Sequence, residues 1–429
     1  KTEPVSIDNT TPTVGVFSKT VDLEPGQSTT VSVPSTGIDQ TIRCLPADFP
    51  TPEVSGKGSG IFYLTAPTLA FGSGTSNYAV ILDSNGTPVW WQEDPTGNII
   101  DLKLIDSDTV AWGHSNGGGF FPGTLSNSYY LHNLDGSLEK TLTPVGFGSD
   151  HHEMQPTSDG GYLLLGYVPR NCPDVPSECV DLSAYGGPTQ ATVVDNIVQK
   201  IDADGNLVWN WNSRDHIDLS ESSQWLNKIG SPALPDGRPA YDIIHTNSVE
   251  PTADGFVFSA RHLNAVYRVT NPETTGDIAW KLGGTSTPES LSVLDDPYSP
   301  NPLVGQHDAR MLPNGNLTVH ENGTDMSRPP RAAEYAIDTN LQQATLVGSL
   351  SDPDIPISGC CGGVRKLENG GWVASWGAGP IVAEYSPEGN RLFKASWPGG
   401  LSSYRVVPAT PSQLDIDALR SGMEAQHPR

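Results

Sequence analysis

Six stretches of this chain repeat one short pattern: a strand, a turn built on Asp, Asn, Gly or Pro, and a second strand that often carries tryptophan. They are ILDSNGTPVWW (81–91), LHNLDGSLEKTL (131–142), KIDADGNLVWNW (200–211), RVTNPETTGDIAWKL (268–282), AIDTNLQQATLV (336–347) and EYSPEGNRLFKASW (384–397). Apolar residues alternating with polar ones on either side of such turns read as antiparallel hairpins. Five of the six follow a second hairpin with its own turn, at 102–112, 154–167, 248–261, 310–322 and 364–376. The sixth such hairpin is divided, with SYRVVPA (403–409) as one strand and GIFYLTAP (60–67) as the other. A repeat split between distant parts of a chain is how a circular array closes its ring. The expected fold is therefore all-β: a six-bladed β-propeller, four strands per blade, closed between N- and C-terminal strands.

Composition agrees. The 429 residues include 45 glycines and 37 prolines, and only 17% are charged, as in a turn-rich β-protein. A formal charge of −25 argues against a nucleic-acid partner, and an anionic substrate would need a local cluster of Arg and His. No run of apolar residues is long enough for a membrane span. Residues 1–58 read as a small N-terminal β-domain, with LPADFPTPEVSGKGSG (45–60) as its linker, 59–410 as the propeller and 411–429 as a polar C-terminal tail. Of the five cysteines, Cys172 and Cys179 sit seven apart in a Pro-rich loop, where a small disulfide fits. Cys360 and Cys361 can bridge each other, or one of them can reach Cys44. No spacing matches a zinc site, and an oxidising, secreted or extracytoplasmic location is expected. The sequons at Asn9, Asn85, Asn316 and Asn322 are about as many as chance supplies.

Propeller geometry then sorts the loops. The start of each innermost strand and the end of the next lie on one face, and all the long segments (114–127, 168–195, 212–240, 283–305, 323–331) connect there. That face also receives His151, His152, His245 and His307 at starts of innermost strands, and Arg261 at the end of the following strand. One histidine at a strand start is most simply a loop residue. Histidines from three consecutive blades at matching positions point to a shared site. Three imidazoles suit a metal, but a fixed arginine beside them suits an oxyanion better, so no metal is expected. Asn247 and Asn322 stand where they can orient imidazoles or bind substrate, and Phe120, Phe121 and Tyr185 lie in rim loops where they can stack on a ring. Glu153 and Asp308, next in chain to His152 and His307, can fix a tautomer only if they turn to the same side. The tryptophans Trp90, Trp209, Trp280 and Trp397 read as packing between blades.

The segments HHEMQPTSDGGYLLL, HTNSVEPTADGFVFSAR, DIAWKLGG and QHDARMLPNGNLTVHENG resemble the arylsulfotransferase family, the PAPS-independent arylsulfate sulfotransferases, over residues 60–400 or so. The resemblance implies a six-bladed propeller behind a small β-domain, and ping-pong sulfuryl transfer from an aryl sulfate to a phenol without cofactor or metal. It places the nucleophile at His307, which would carry a transient sulfohistidine, and the sulfuryl-oxygen contacts at His245 and Arg261. His152, rather than His151, matches the position of the proton-transfer histidine. Two other readings fit the same mouth. One is a polysaccharide lyase, in which an imidazole takes the proton alpha to a uronate carboxylate and Arg261 neutralises that carboxylate. The other is a non-catalytic propeller that binds an anionic glycan or a protein.

Overall fold

In a computed structural model, described over residues 2–7, 17–33, 38–69, 77–95, 98–115, 128–222, 234, 237–324 and 326–427, six four-stranded antiparallel units form a β-propeller. The innermost strands are Asn98–Leu104, Met154–Pro156, Thr246–Thr252, His307–Met311, Gly363–Lys366 and Leu401–Ala409, which head blades 1 to 6 in that order. Every expected hairpin pairs as the alternation required. Blade 6 closes the ring: Leu401–Ala409 pairs with Phe62–Leu69 (Val406 with Thr65, Ala409 with Phe62), and Tyr78–Leu82 and Pro88–Glu93 complete it.

The core lies between blades, where the inward side chains of facing sheets meet. Around the closure, Tyr63, Leu64, Trp90, Trp112, Val382, Phe393 and Trp397 form one buried cluster. Trp90, Trp280 and Trp397 are buried as expected, whereas Trp209 remains half-exposed beside Phe256. Tyr63 fastens the closure as well, donating its hydroxyl to the Glu384 carboxylate of blade 5.

Two boundaries differ from expectation. The segment 45–60 is not only a linker: Glu53–Gly56 pairs with Arg391–Ser396 as a fifth strand of blade 5. Gly56 ends this strand at φ 76°, and a Cβ there would lie 2.0 Å from the Leu392 carbonyl oxygen, so only glycine lets the backbones approach. The segment 411–429 is not simply a polar tail, because Ile416–Gln426 is an α-helix. Asp415 caps it, its side chain accepting from the Asp417 and Ala418 amides. Leu419 and Met423, one turn apart on a single stripe, enter the closure cluster. In front, Thr2–Ile7 pairs with Phe17–Asp22 and Ser28–Val33 with Ile38–Arg43, as two separate two-stranded sheets.

Candidate active site

The strand starts deliver their histidines to one place. The rings of His152 and His245 meet edge to face with centroids 4.9 Å apart, and Tyr404 lies 6.1 Å from His152 and 6.5 Å from His307. All three imidazoles are buried. Local sequence fixes two of them in the same way. Asp150 Oδ1 accepts both the His152 backbone N–H (2.9 Å) and its ring Nδ1–H (2.7 Å). In blade 3, Asp242 accepts the His245 backbone N–H through Oδ1 (3.1 Å) and the ring Nδ1–H through Oδ2. An aspartate just ahead of the histidine thus caps the strand start and sets the tautomer, leaving Nε2 uncommitted. These two aspartates were missed, although DHH and DIIH carry the signal in the sequence. His245 itself has φ 56°, a left-handed backbone that is uncommon outside glycine and found where a site imposes it.

His307 is oriented differently. Its Nδ1 faces two acceptors, Asn322 Oδ1 (2.7 Å) and the Gly305 carbonyl (3.0 Å), so that nitrogen carries the proton. Its Nε2 accepts the Cys361 backbone N–H (3.2 Å) and therefore presents a lone pair. Asn322 is fully buried and donates to Ser358 Oγ and the Cys361 carbonyl, both at 3.0 Å, which fixes which way its amide points. Asn322 accordingly orients the imidazole rather than lining a substrate pocket. Asn247, also fully buried, donates to the Gln306 carbonyl (2.8 Å) and so anchors the peptide just before His307.

Arg261 opens the short 3-10 turn Arg261–Leu263 at the end of Gly255–Ala260. Its Nη2 donates to the Gly359 carbonyl (3.0 Å), while its Nε is buried with no hydrogen-bond partner. An uncommitted buried donor on a cation is costly unless an acceptor arrives. The charge reaches both neighbours. Burial, then His152 and Arg261, push His245 well below the ordinary imidazole range, and burial, Arg261 and His320 do the same to His307. Both are neutral near pH 7. Burial works to raise the Asp150 carboxyl, but the charge and hydrogen bond of His152 and the nearby His151 outweigh it and hold Asp150 at about 2.

Below the histidines the centre of the propeller is filled by ion pairs. Glu153 meets Arg310 (2.6 Å), Lys103 (3.0 Å) and Arg405 (3.0 Å); Asp101 meets Arg405 (2.6 Å) and Lys103 (2.8 Å); Asp308 meets Arg310 (2.7 Å), Arg405 (3.2 Å) and Arg365. Glu153 and Asp308 do not fix a histidine tautomer, because adjacent strand residues face opposite ways and theirs face the axis. Several inner strands carry register irregularities at this level, between His307 and Arg310 and between Ser403 and Val406 among others. Bulges re-aim side chains, and here they bracket Asp308, Tyr404 and Arg405.

The remaining candidates divide. His151 stacks on His152 with centroids 4.5 Å apart, and burial followed by His152 lowers it to about 4. Tyr185 is half-buried, packed against the Leu163–Leu182 cluster instead of standing free at the rim. Phe120 and Phe121 lie outside the described residues. Cys172–Cys179 and Cys360–Cys361 are disulfides, and Cys44 is free. Sequence reasoning also missed His262, whose Nδ1 donates to the Asp242 carbonyl (2.6 Å), and Tyr404, which sits in the closing strand without a repeat partner to mark it. Asp150, His151 and His152, and separately Asp242, His245 and His262, bring ligand-type atoms within 4.8 Å of one another. His151 and His152 stack at 24°, His245 and His262 are tilted by 31°, and most of the Nδ1 atoms are already committed, so a cation there would have to displace those bonds.

A model of the arylsulfotransferase (ASST) family matches residues 102–397, more than half of the chain. The chain belongs to the arylsulfotransferase family. No curated protein matches it. Among solved structures, a protein of unknown function from Bacteroides caccae is 13% identical, covering 82% of this chain and 99% of its own, with a TM-score of 0.45. A putative 6-phosphogluconolactonase from Bacteroides fragilis is 12% identical (82% and 98% covered, TM-score 0.42). A virginiamycin B lyase from Staphylococcus aureus is 12% identical (81% and 88% covered, TM-score 0.38). These values are too low to bear on what an arylsulfotransferase-family mouth does.

Proposed function

We propose that the protein transfers a sulfuryl group from an aryl sulfate to a phenolic or other hydroxyl acceptor through a sulfohistidine on His307. The observation that carries this is the fixed tautomer of His307: the proton is held on Nδ1 by Asn322, and Nε2 is a neutral lone pair in a buried site. A nucleophile needs this form, and an in-line transfer needs little more than positioning and charge. In the first half-reaction the Nε2 lone pair forms the N–S bond and the S–O bond to the aryl group breaks. His152, its Nδ1 bound to the ionised Asp150, protonates the departing phenolate from Nε2. Arg261, with an uncommitted Nε, and His245, oriented by Asp242, hold the sulfuryl oxygens. In the second half His152 takes the acceptor proton and the acceptor oxygen displaces His307 from sulfur. We place this activity in an oxidising, extracytoplasmic setting, a location supported by the two disulfides.

The test is incubation with p-nitrophenyl sulfate, then intact-mass measurement and peptide mapping. A sulfo adduct on His307, absent in His307→Ala, is expected, with p-nitrophenol released. No adduct in the native protein would sink the reading, and new ultraviolet absorbance from unsaturated uronates on acidic polysaccharides would replace it with lyase chemistry.

A further inference from the structure

The segment 358–362, SGCCG, touches the proposed nucleophile His307, the Asn322 that orients it, and Arg261. The Gly359 carbonyl accepts from Arg261 Nη2 (3.0 Å), Ser358 Oγ from Asn322 (3.0 Å), and the Cys361 carbonyl from Asn322 (3.0 Å) and His320 Nδ1 (3.1 Å). The Cys361 N–H donates to the lone pair of His307. Around it the turn is pinned. The Gly362 amide donates to the Tyr404 carbonyl (2.9 Å) and the Ala378 amide to the Cys360 carbonyl (3.1 Å). Cys361 has φ 64°, a left-handed backbone that a non-glycine residue adopts at a cost, and its side chain is bonded to that of its neighbour Cys360. Both cysteines are buried, in contact with Ile100 and Tyr404.

We propose that the Cys361 N–H is a backbone donor to the transferring sulfuryl group and that the Cys360–Cys361 disulfide is the device that positions it. This rests on the sulfohistidine reading. The lone pair that the N–H now occupies is the electron pair that becomes the N–S bond, so the present contact must open as sulfur arrives. The displaced N–H then lies beside a group whose three oxygens carry the charge, and one of them takes the place of Nε2 as acceptor. The eight-membered ring closed by the disulfide keeps the peptide from swinging away. Without the ring, Cys361 loses the constraint that holds its unfavourable φ, and the donor leaves the site. Preorganised donors of this kind act because they pay no reorganisation cost when the charge appears.

The test uses the Cys360→Ala/Cys361→Ala variant of the full chain, and separately the native protein reduced with dithiothreitol. In the latter the Cys360–Cys361 bond is cleaved to two thiols while dithiothreitol closes to its cyclic disulfide, and the Cys172/Cys179 state is scored by alkylation and mass. Single-turnover sulfation of His307 by saturating p-nitrophenyl sulfate should slow about a hundredfold to a thousandfold, with the half-saturating concentration of p-nitrophenyl sulfate little changed. The nitrogen-15 resonance of His307 Nε2, read without substrate, should move as its hydrogen bond is lost. If the opened forms are sulfated at the native rate, or faster, or if the Nε2 resonance stays put, the proposal is overturned. Reduction covers the case in which the double variant does not fold. Failure of the sulfohistidine reading looks different, because then the native protein itself forms no adduct.

Discussion

Replacing Glu153 by glutamine keeps the shape of the ion-pair hub while removing one charge from it. Its carboxylate meets Arg310, Lys103 and Arg405 and also accepts the Val249 amide (3.0 Å), with no exposure to water. Two routes give the size of the effect. Burial would raise the Glu153 carboxyl, but Arg310, Arg405 and Lys103 outweigh it and hold it at about 2 against an ordinary 4.5. At about 1.4 kcal/mol per pH unit that difference is on the order of 3 kcal/mol. Removing one partner from a buried ion-pair network independently costs about 3–5 kcal/mol. With an unfolding entropy of about 2.1 cal/mol/K per residue, a chain of this length should melt roughly 3–5 °C lower. The sign with pH follows from the depressed value. The contribution is complete above the ordinary carboxyl value of 4.5 and is lost as pH falls through about 2. Urea unfolding followed by circular dichroism, at pH 7 and at steps down to pH 2, should show Glu153→Gln less stable at pH 7 and less sensitive to acid than the native chain. A loss under about 1 kcal/mol at pH 7, or an acid profile that overlays the native one, would refute the claim that Glu153 holds the hub together.

Other expectations follow from single contacts. Asn322→Leu removes the nearer of the two acceptors that hold the His307 proton on Nδ1 and leaves the Gly305 carbonyl alone to orient the ring, so His307 sulfation should fall about tenfold, with about 1–3 kcal/mol of stability lost in urea melts. Because His307 is held well below the imidazole range, the rate of adduct formation should not fall as pH drops through 6.5, and a loss of the nucleophile should show only at much lower pH. Burial also lowers His151 and His320 to about 4 and His262 to about 3. Their unfolded forms take up protons first, so acid titration of stability should show a decline beginning near pH 6.5. Gly422→Ala would put a Cβ 2.0 Å from the Leu134 carbonyl, which also accepts from Trp90 and Gln426, and limited proteolysis should then release the C-terminal helix.

The blades were legible because their hairpins are local: the turn and the alternation that specify a hairpin lie within a dozen residues. The closure was legible because SYRVVPA and GIFYLTAP are each half of a unit seen five times whole. Strand Glu53–Gly56 was not, since what makes it a strand is an open sheet edge more than three hundred residues away. The helix Ile416–Gln426 hid behind its polar face, with only a narrow stripe of apolar positions to signal it. In the site, position in the repeat brought His152, His245, His307 and Arg261 to one mouth, and the side chains that set their chemistry were harder to see. Asp150 and Asp242 act through short-range caps whose spacing differs by one residue, and Asn322 and Cys361 reach His307 from another strand and another blade. Asp101 and Arg405 meet at the axis only because the chain travels round the ring to join them.

That last pair has a consequence for how the protein is made. Blades 1 to 5 and three strands of blade 6 leave the ribosome before Leu401–Ala409, which holds Arg405 and Tyr404. Until that strand arrives, Asp101, Glu153 and Asp308 face the axis without the guanidinium that joins all three, and blade 6 lacks its inner edge. A nascent chain stalled short of residue 401 therefore carries both an open sheet and three axial carboxylates that lack the one cation they share. The final strand completes the ring and ties the three axial carboxylates to one guanidinium in a single event.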